Sequence, residues 1–273
     1  MDKVLSIAGF DGSGGAGIQA DLKTFSAFGC FGMTVLTALP IQNTQGVKKS
    51  YPIPPLAVKE QLEAIFEDII PDAIKIGMLA NKEVIEVVTS FLKHNGQNIP
   101  IVLDPVMVAT SGDRLLSADA LETLKELLIP LSTLTTPNIS EAKTLIGPFE
   151  TTKEEMETAA QKILLMGSHS VLLKGGHLDG EMASDLYLDQ NGTKVWLKKK
   201  RIKTKNTHGT GCTLSAAIAS SLAMGFDLLE SCKKGKAYLH QALIAAKDLR
   251  IGKGSGPLHH FHHLQSSYIS SLV

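Results

Sequence analysis

Apolar and polar positions along the chain fall into two alternating rhythms. Short runs rich in branched apolar residues, at 4–8, 33–41, 73–76, 101–103, 134–136 and 170–173, read as strands buried on both faces. Longer stretches between them carry apolar residues at helical spacing. In residues 58–70 these are Leu62, Ile65, Phe66, Ile69 and Ile70, and residues 154–166 and 228–249 repeat the pattern. Strands that alternate with amphipathic helices predict an α/β fold with a mostly parallel central sheet covered on both faces. Late in the chain the rhythm changes. Residues 183–188 and 193–197 flank Asp189-Gln190-Asn191-Gly192, and Asn-Gly predicts a tight turn and an antiparallel edge hairpin.

The chain of 273 residues has no internal repeat and no shift in composition that marks a boundary, so a single domain over 1–273 is expected. Lys plus Arg and Asp plus Glu number 27 each, which leaves no net field for a nucleic acid or an anionic membrane. The one basic run, Lys198-Lys199-Lys200-Arg201, reads as a solvated strand end. Cys30, Cys212 and Cys232 are too few and too scattered for a disulfide framework. After Lys3 the first apolar stretch breaks at Gly9, and no apolar run is long enough to span a bilayer. A cytoplasmic protein is expected.

Two glycine-rich turns carry the chemistry. The first, Gly9-Phe10-Asp11-Gly12-Ser13-Gly14-Gly15-Ala16-Gly17, lies between the first strand and a helix starting near Ile18. Backbone without Cβ atoms can approach a ligand closely there, and the helix start offers free N–H groups. The turn satisfies G-x-G-x-x-G, but a dinucleotide site also wants an acid about 20 residues on. Between Asp21 and Glu60 the chain has no Asp or Glu, so a dehydrogenase is disfavoured. The second turn, Asn206-Thr207-His208-Gly209-Thr210-Gly211-Cys212-Thr213, opens a helix of small residues. Successive N–H groups at Gly209, Thr210, Gly211 and Cys212 would face one anion at the positive helix end. Such donors suit the charge that builds on a transferred phosphoryl group.

Cys212 at that helix start is expected to have a lowered pKa. Three roles stay open for it: general base, covalent nucleophile of a hydrolase with His208 beside it, and inert thiol. No G-x-x-x-x-G-K-[ST] phosphate loop occurs, since Gly252-Lys253 is followed by Gly254. The tail holds His259, His260, His262 and His263, but a flexible histidine cluster lacks the preset geometry of a metal site.

Seven segments in order carry a resemblance: residues 9–23, Gln42-Asn43-Thr44, Lys75-Ile76-Gly77-Met78-Leu79, Asp104-Pro105-Val106-Met107, Thr136-Pro137-Asn138 with Glu141, Lys174-Gly175-Gly176-His177, and residues 206–213. Together they resemble the hydroxymethylpyrimidine/phosphomethylpyrimidine kinases of the ribokinase-like superfamily. The resemblance implies a three-layer α/β/α sandwich that phosphorylates 4-amino-5-hydroxymethyl-2-methylpyrimidine twice, with ATP and Mg²⁺, for thiamine biosynthesis. It implies Gly9, Ala16, Asp21, Gln42, Met78 and Val106 as pyrimidine contacts. It further implies Asn138, Lys174 and Thr207 at the nucleotide, Glu141 and Asp104 at the metal, and Cys212 in the slot where sugar kinases carry an Asp base. A homodimer is the assembly it implies. The Gln42 amide, donor and acceptor side by side, complements a ring nitrogen next to an amine. From the residues alone, Asn138 and Glu141 could equally be a helix cap, and Lys174 a strand-end lysine. A pyridoxal kinase of the same fold and a non-catalytic pyrimidine sensor are the alternative readings.

Overall fold

The computed structural model describes residues 1–107, 116–176 and 180–264. Residues 108–115 and His177 lie outside the described residues.

The strands are β1 (Lys3–Ala8), β2 (Phe31–Leu36), β3 (Ala38–Asn43), β4 (Gly46–Pro52), β5 (Ala73–Ile76), β6 (Ile101–Leu103), β7 (Leu134–Thr135), β8 (Ser170–Leu173), β9 (Met182–Asp189) and β10 (Lys194–Lys200). The helices are α1 (Gly17–Ala27), α2 (Pro55–Asp68), α3 (Lys82–Asn95), α4 (Ala118–Thr123), α5 (Ile139–Ile146), α6 (Lys153–Leu164), α7 (Thr210–Ala223) and α8 (Leu228–Ala246). Eight strands form one sheet in the order β10-β9-β8-β7-β6-β5-β1-β2, and β3 pairs only with β4 in a separate two-stranded sheet. From β2 to β8 the pairs are parallel, while β9 and β10 add antiparallel as the expected edge hairpin.

Alternation along the strands builds the three layers, since successive side chains point to opposite faces. Leu5, Ile7, Ile74, Ile76, Ile101, Leu103, Val171 and Leu173 pack with α2 to α6 on one face. Val4, Ala73, Val102, Leu172 and Tyr187 pack with α1, α7 and α8 on the other. Side-chain caps fix the helix starts: Asn81 accepts from the Val84 N–H, Thr152 from Glu155 and Asp227 from Glu230.

The stretch 33–41, expected as one strand, is two. At Thr37 the chain bends: its N–H donates to Ala8 O and its hydroxyl to Met78 O at 2.6 Å. Beyond it β3 leaves the main sheet, and β4 was not foreseen because Lys48 and Lys49 break any apolar alternation. Helix α2 begins ahead of the expected residue 58, at a proline suited to a first helical position. It ends before Ile69, whose backbone is extended.

The strand order reverses at β1, whose neighbours are β2 and β5. In open α/β sheets ligands bind beyond the carboxyl ends of strands at such a switch. Here β1 delivers Gly9, β5 delivers Met78, β6 delivers Asp104 and Val106, β7 delivers Asn138, and β8 delivers Lys174.

Candidate active site

Beyond those strand ends lies a cavity of about 570 Å³. Of the residues expected at the site, Gly9, Ala16, Gln42, Met78, Val106, Asp104, Asn138, Glu141, Lys174, Thr207, Gly209, Thr210, Gly211 and Cys212 all line it. Asp21 does not. It is fully buried behind the wall, accepting from the Ser6 hydroxyl at 2.5 Å and pairing with Lys75 Nζ at 2.8 Å. A substrate-contact role for Asp21 therefore gives way to that of partner for Lys75, which does line the cavity.

The motif Lys75-Ile76-Gly77-Met78-Leu79 does not by itself assign Lys75 a role. The signal was legible: a lysine inside the strand Ala-Ile-Lys-Ile, where every neighbour is buried, needs a buried partner. Burial opposes its charge, but Asp21, Cys212 and Asp104 outweigh that and raise its pKa.

The two glycine turns meet face to face. Asp11 Oδ2 accepts from the Gly15 and Ala16 N–H groups at 3.1 and 2.7 Å and lies 2.7 Å from His208 Nε2. Gly209 has φ 81° and presses on Gly15, where any Cβ would overlap the Gly15 carbonyl oxygen. His208 thus serves the turns. Among the described residues no hydrogen bond joins it to Cys212, so the hydrolase reading lacks its base.

Helix α7 starts without a side-chain cap at Gly209. The Thr210 N–H turns back to Thr207 O at 3.3 Å, so it drops out of the expected row of donors. Gly209, Gly211 and Cys212 keep N–H groups that donate to nothing among the described residues. An uncapped helix start with free amides can accept an anion. Facing Gly211, at 3.1 and 3.4 Å from where a Cβ would stand, are Asp104 Oδ2 and Lys174 Nζ. Lys174 Nζ is 2.8 Å from Asp104 Oδ1 and 3.8 Å from Glu141 Oε2.

Asn138 and Glu141 do form a capping box at α5: the Asn138 side chain accepts from the Glu141 N–H at 2.9 Å, and Glu141 Oε2 from the Asn138 N–H at 2.7 Å. The cap and the charge cluster are one object, because Glu141 is turned towards Lys174. Burial pushes the Glu141 carboxyl up to about 7, opposed by Lys174 and assisted by Asp104. The expectation of a thiolate at Cys212 is reversed. Burial pushes its thiol up to about 11; Lys75 and the Gly17 amide pull the other way, and Asp21 and Asp104 add to the rise.

At its far end the cavity is bordered by Lys199, Lys200, Arg201, Ile202, Leu239 and Leu243. The basic run read as a solvated strand end thus faces the site, brought there by the β9–β10 hairpin. Among the described residues no group of three or more His, Cys, Asp or Glu is set to hold an ion. His260 is buried with Nε2 at 3.0 Å from Thr213 Oγ1.

A family model described as phosphomethylpyrimidine kinase matches residues 11–259. The chain belongs to that family. It is 51% identical over 259 residues to the hydroxymethylpyrimidine/phosphomethylpyrimidine kinase of Rhizobium meliloti (strain 1021), covering 94% of this chain and 96% of the relative. The crystal structure of phosphomethylpyrimidine kinase from Clostridium difficile 630 is 43% identical, with a TM-score of 0.78 over 89% of this chain and all of that one (100%). The pyridoxal kinase of Staphylococcus aureus in complex with AMP-PCP and pyridoxal is 34% identical, with a TM-score of 0.87 over 96% and 94% of the two chains. The three-layer, ribokinase-like fold expected from the sequence is the fold these relatives share.

Proposed function

We propose that this chain is an ATP-dependent kinase that phosphorylates 4-amino-5-hydroxymethyl-2-methylpyrimidine to its monophosphate and then to the diphosphate, serving thiamine biosynthesis. The observation that carries the reading is the uncapped start of α7, with the free amides of Gly209, Gly211 and Cys212 beside Lys174 and Asp104 in one cavity with Gln42. Gly9, Ala16, Gln42, Met78 and Val106 hold the pyrimidine. Ile202, Leu239 and Leu243 offer an apolar face for the adenine at the other end, and Lys174, Asn138 and Thr207 lie between, at the phosphates.

In the first reaction the hydroxymethyl oxygen bonds to the γ-phosphorus as the bond to the departing ADP oxygen breaks, and the hydroxyl proton leaves to a phosphoryl oxygen or to water. The α7 amides and the Lys174 ammonium face the charge on the moving phosphoryl oxygens and are already oriented, so they favour the transition state. In the second reaction the nucleophile is a phosphate oxygen already ionised near neutral pH, which needs no base. A neutral thiol at Cys212 agrees with a site in which positioning and amide donors supply most of the rate.

Mg²⁺ fits this donor set. Asp104 and Glu141 offer hard oxygen ligands on the phosphate side, few enough that phosphate oxygens and water would complete the shell. Bound there, the ion would neutralise phosphate charge. The reading extends to a cytoplasmic homodimer that binds neither nucleic acid nor membrane. Exposed Phe31 on β2 and Ile41 and Tyr51 on the β3–β4 sheet support a covered apolar surface. Equal numbers of basic and acidic residues support the absence of a polyanion partner.

A panel of acceptors with Mg²⁺ and ATP, scored by ADP release and product mass, tests the reading. Hydroxymethylpyrimidine is expected to yield both the mono- and the diphosphate. Turnover of pyridoxal alone would favour the pyridoxal kinase reading, which the likeness to the Staphylococcus aureus enzyme keeps in view. Binding of the pyrimidine with no ADP formed would favour a sensor.

A further inference from the structure

The glycine-rich segment that follows α8 plays no part in the chemistry above, yet it touches both halves of the site. Gln42 sits on a sheet of only two strands that pairs with no strand of the main sheet, and such a pair holds its geometry poorly by itself. Its register also shifts between Ile41 and Gln42, so the direction of Gln42 depends on how the hairpin is held. The base is tied: the Phe10 N–H donates to Ala38 O at 2.9 Å, and Ile53 to Thr37 O at 3.1 Å. Gln42 Nε2 donates to Phe10 O at 3.3 Å, the one hydrogen bond its side chain makes among the described residues.

The tip of the hairpin is tied by the C-terminal segment. The Ser255 N–H donates to Thr44 O at 2.9 Å and the Gly254 N–H to Thr44 Oγ1 at 3.2 Å. One residue further, Gly256 O accepts the His208 N–H at 3.1 Å, and Pro257 bridges to His208 in parallel register. At the near end Asn206 Nδ2 donates to Ala246 O and Leu249 O at 2.6 and 2.9 Å. The fit is tight. A Cβ on Gly254 would overlap Thr44 O, and one on Gly256 would overlap Asn206 Oδ1.

We propose that residues 254–256 form a strap that sets the pyrimidine-reading hairpin at a fixed distance from the phosphoryl-holding loop. Thr44, Gly254 and Gly256 are then positioning residues for Gln42, with His208 as the anchor of the strap on a loop that Asp11 and Gly15 already hold. Three residues fully extended reach only about 10 Å, so the strap has little slack and transmits a displacement of the hairpin tip. The proposal rests on the reading of Gln42 as a pyrimidine contact. A strap of this kind matters for the acceptor and not for the nucleotide, whose apolar face at Ile202, Leu239 and Leu243 it does not touch.

Thr44→Val removes the acceptor of the Gly254 N–H at nearly constant size, and Gly254→Ala forces the strap off the tip. For each variant and for the parent chain, calorimetry measures the affinity for hydroxymethylpyrimidine and for AMP-PCP with Mg²⁺. Thr44→Val is expected to weaken pyrimidine binding roughly three- to tenfold, as loss of one such hydrogen bond does, with AMP-PCP affinity held within about twofold. Gly254→Ala is expected to weaken it further; should that variant not fold, Thr44→Val decides. Unchanged pyrimidine affinity in Thr44→Val, or equal loss for both ligands, overturns the strap. A parent chain that binds AMP-PCP but no pyrimidine overturns the functional reading and the strap with it.

Discussion

Asp11 Oδ2 meets His208 Nε2 at 2.7 Å across 197 positions of the chain. The same carboxylate closes the first glycine turn through the Gly15 and Ala16 amides and takes the Ser13 hydroxyl on its other oxygen at 2.7 Å. One side chain thus shapes the acceptor turn and fastens it to the turn that starts α7. In the proposed reading the two substrates approach each other from these turns, so their spacing would depend on this contact.

Burial opposes ionisation of Asp11, but the hydrogen bonds from His208, Ser13 and Ala16 outweigh it and hold the carboxyl well below its ordinary 3.8. A lowered folded pKa gives stability that is fully present above that ordinary value and is lost as pH falls through the folded one. Asp11→Asn is therefore expected to cost about 2 kcal/mol at pH 7, with the difference shrinking in acid below pH 4. Urea unfolding of both proteins from pH 7 down to pH 3 checks this, and a difference that stays constant over that range contradicts it.

Glu141 carries the opposite sign. Its carboxyl is raised by burial from an ordinary 4.5 to about 7, so between those values the unfolded chain is ionised while the folded one holds a proton. Stability then falls as pH rises through the window. Glu141→Gln keeps an oxygen for the Asn138 N–H and removes the titration. Between pH 5 and pH 8 the substrate-free parent is expected to lose on the order of 3 kcal/mol relative to the variant. Parallel stability curves would refute the assignment.

Much of this architecture was legible in the sequence because the signals were local. The Asn-Gly turn sets the β9–β10 hairpin, and runs of apolar residues mark the central strands. What escaped depends on contacts between distant segments. The bend at Thr37 is held by Ala8 and Met78, which no pattern within residues 33–41 reports. The thiol of Cys212 follows burial and the nearby Asp21 and Asp104 more than its helix start. The basic run at 198–201 looked solvated because nothing in it tells where the hairpin carries Lys199, Lys200 and Arg201.

Lys75 and Asp21 are both fully buried, and Asp21 Oδ1 has no hydrogen-bond partner among the described residues. Removing one partner of a buried pair leaves a desolvated charge. Lys75→Met is expected to destabilise the fold by about 3 to 5 kcal/mol, with Lys75→Met/Asp21→Leu recovering most of that loss. Denaturant midpoints of the two single variants and the double variant test the coupling. If the double variant loses the sum of the single losses, the pair does not act as a unit.

The clearest departure from expectation can be tested on Cys212 directly. A free thiol with pKa near 8.5 is about a quarter thiolate at pH 8, whereas one pushed up to about 11 is thiolate in only about one molecule per thousand. Alkylation of Cys212 by iodoacetamide, followed by peptide mass because Cys30 and Cys232 are buried, is expected to run on the order of a hundredfold slower than for a free thiol at pH 8. The rate should still climb at pH 10. The same neutrality limits the loss on Cys212→Ala. A general base is worth roughly 10² to 10⁴ in rate, but the amide at position 212 and those of Gly209 and Gly211 survive the substitution, so kcat is expected to fall by only about tenfold with KM little changed. A plateau in alkylation below pH 9 together with a thousandfold drop in kcat would show that this thiol is already acidic and serves as the base after all.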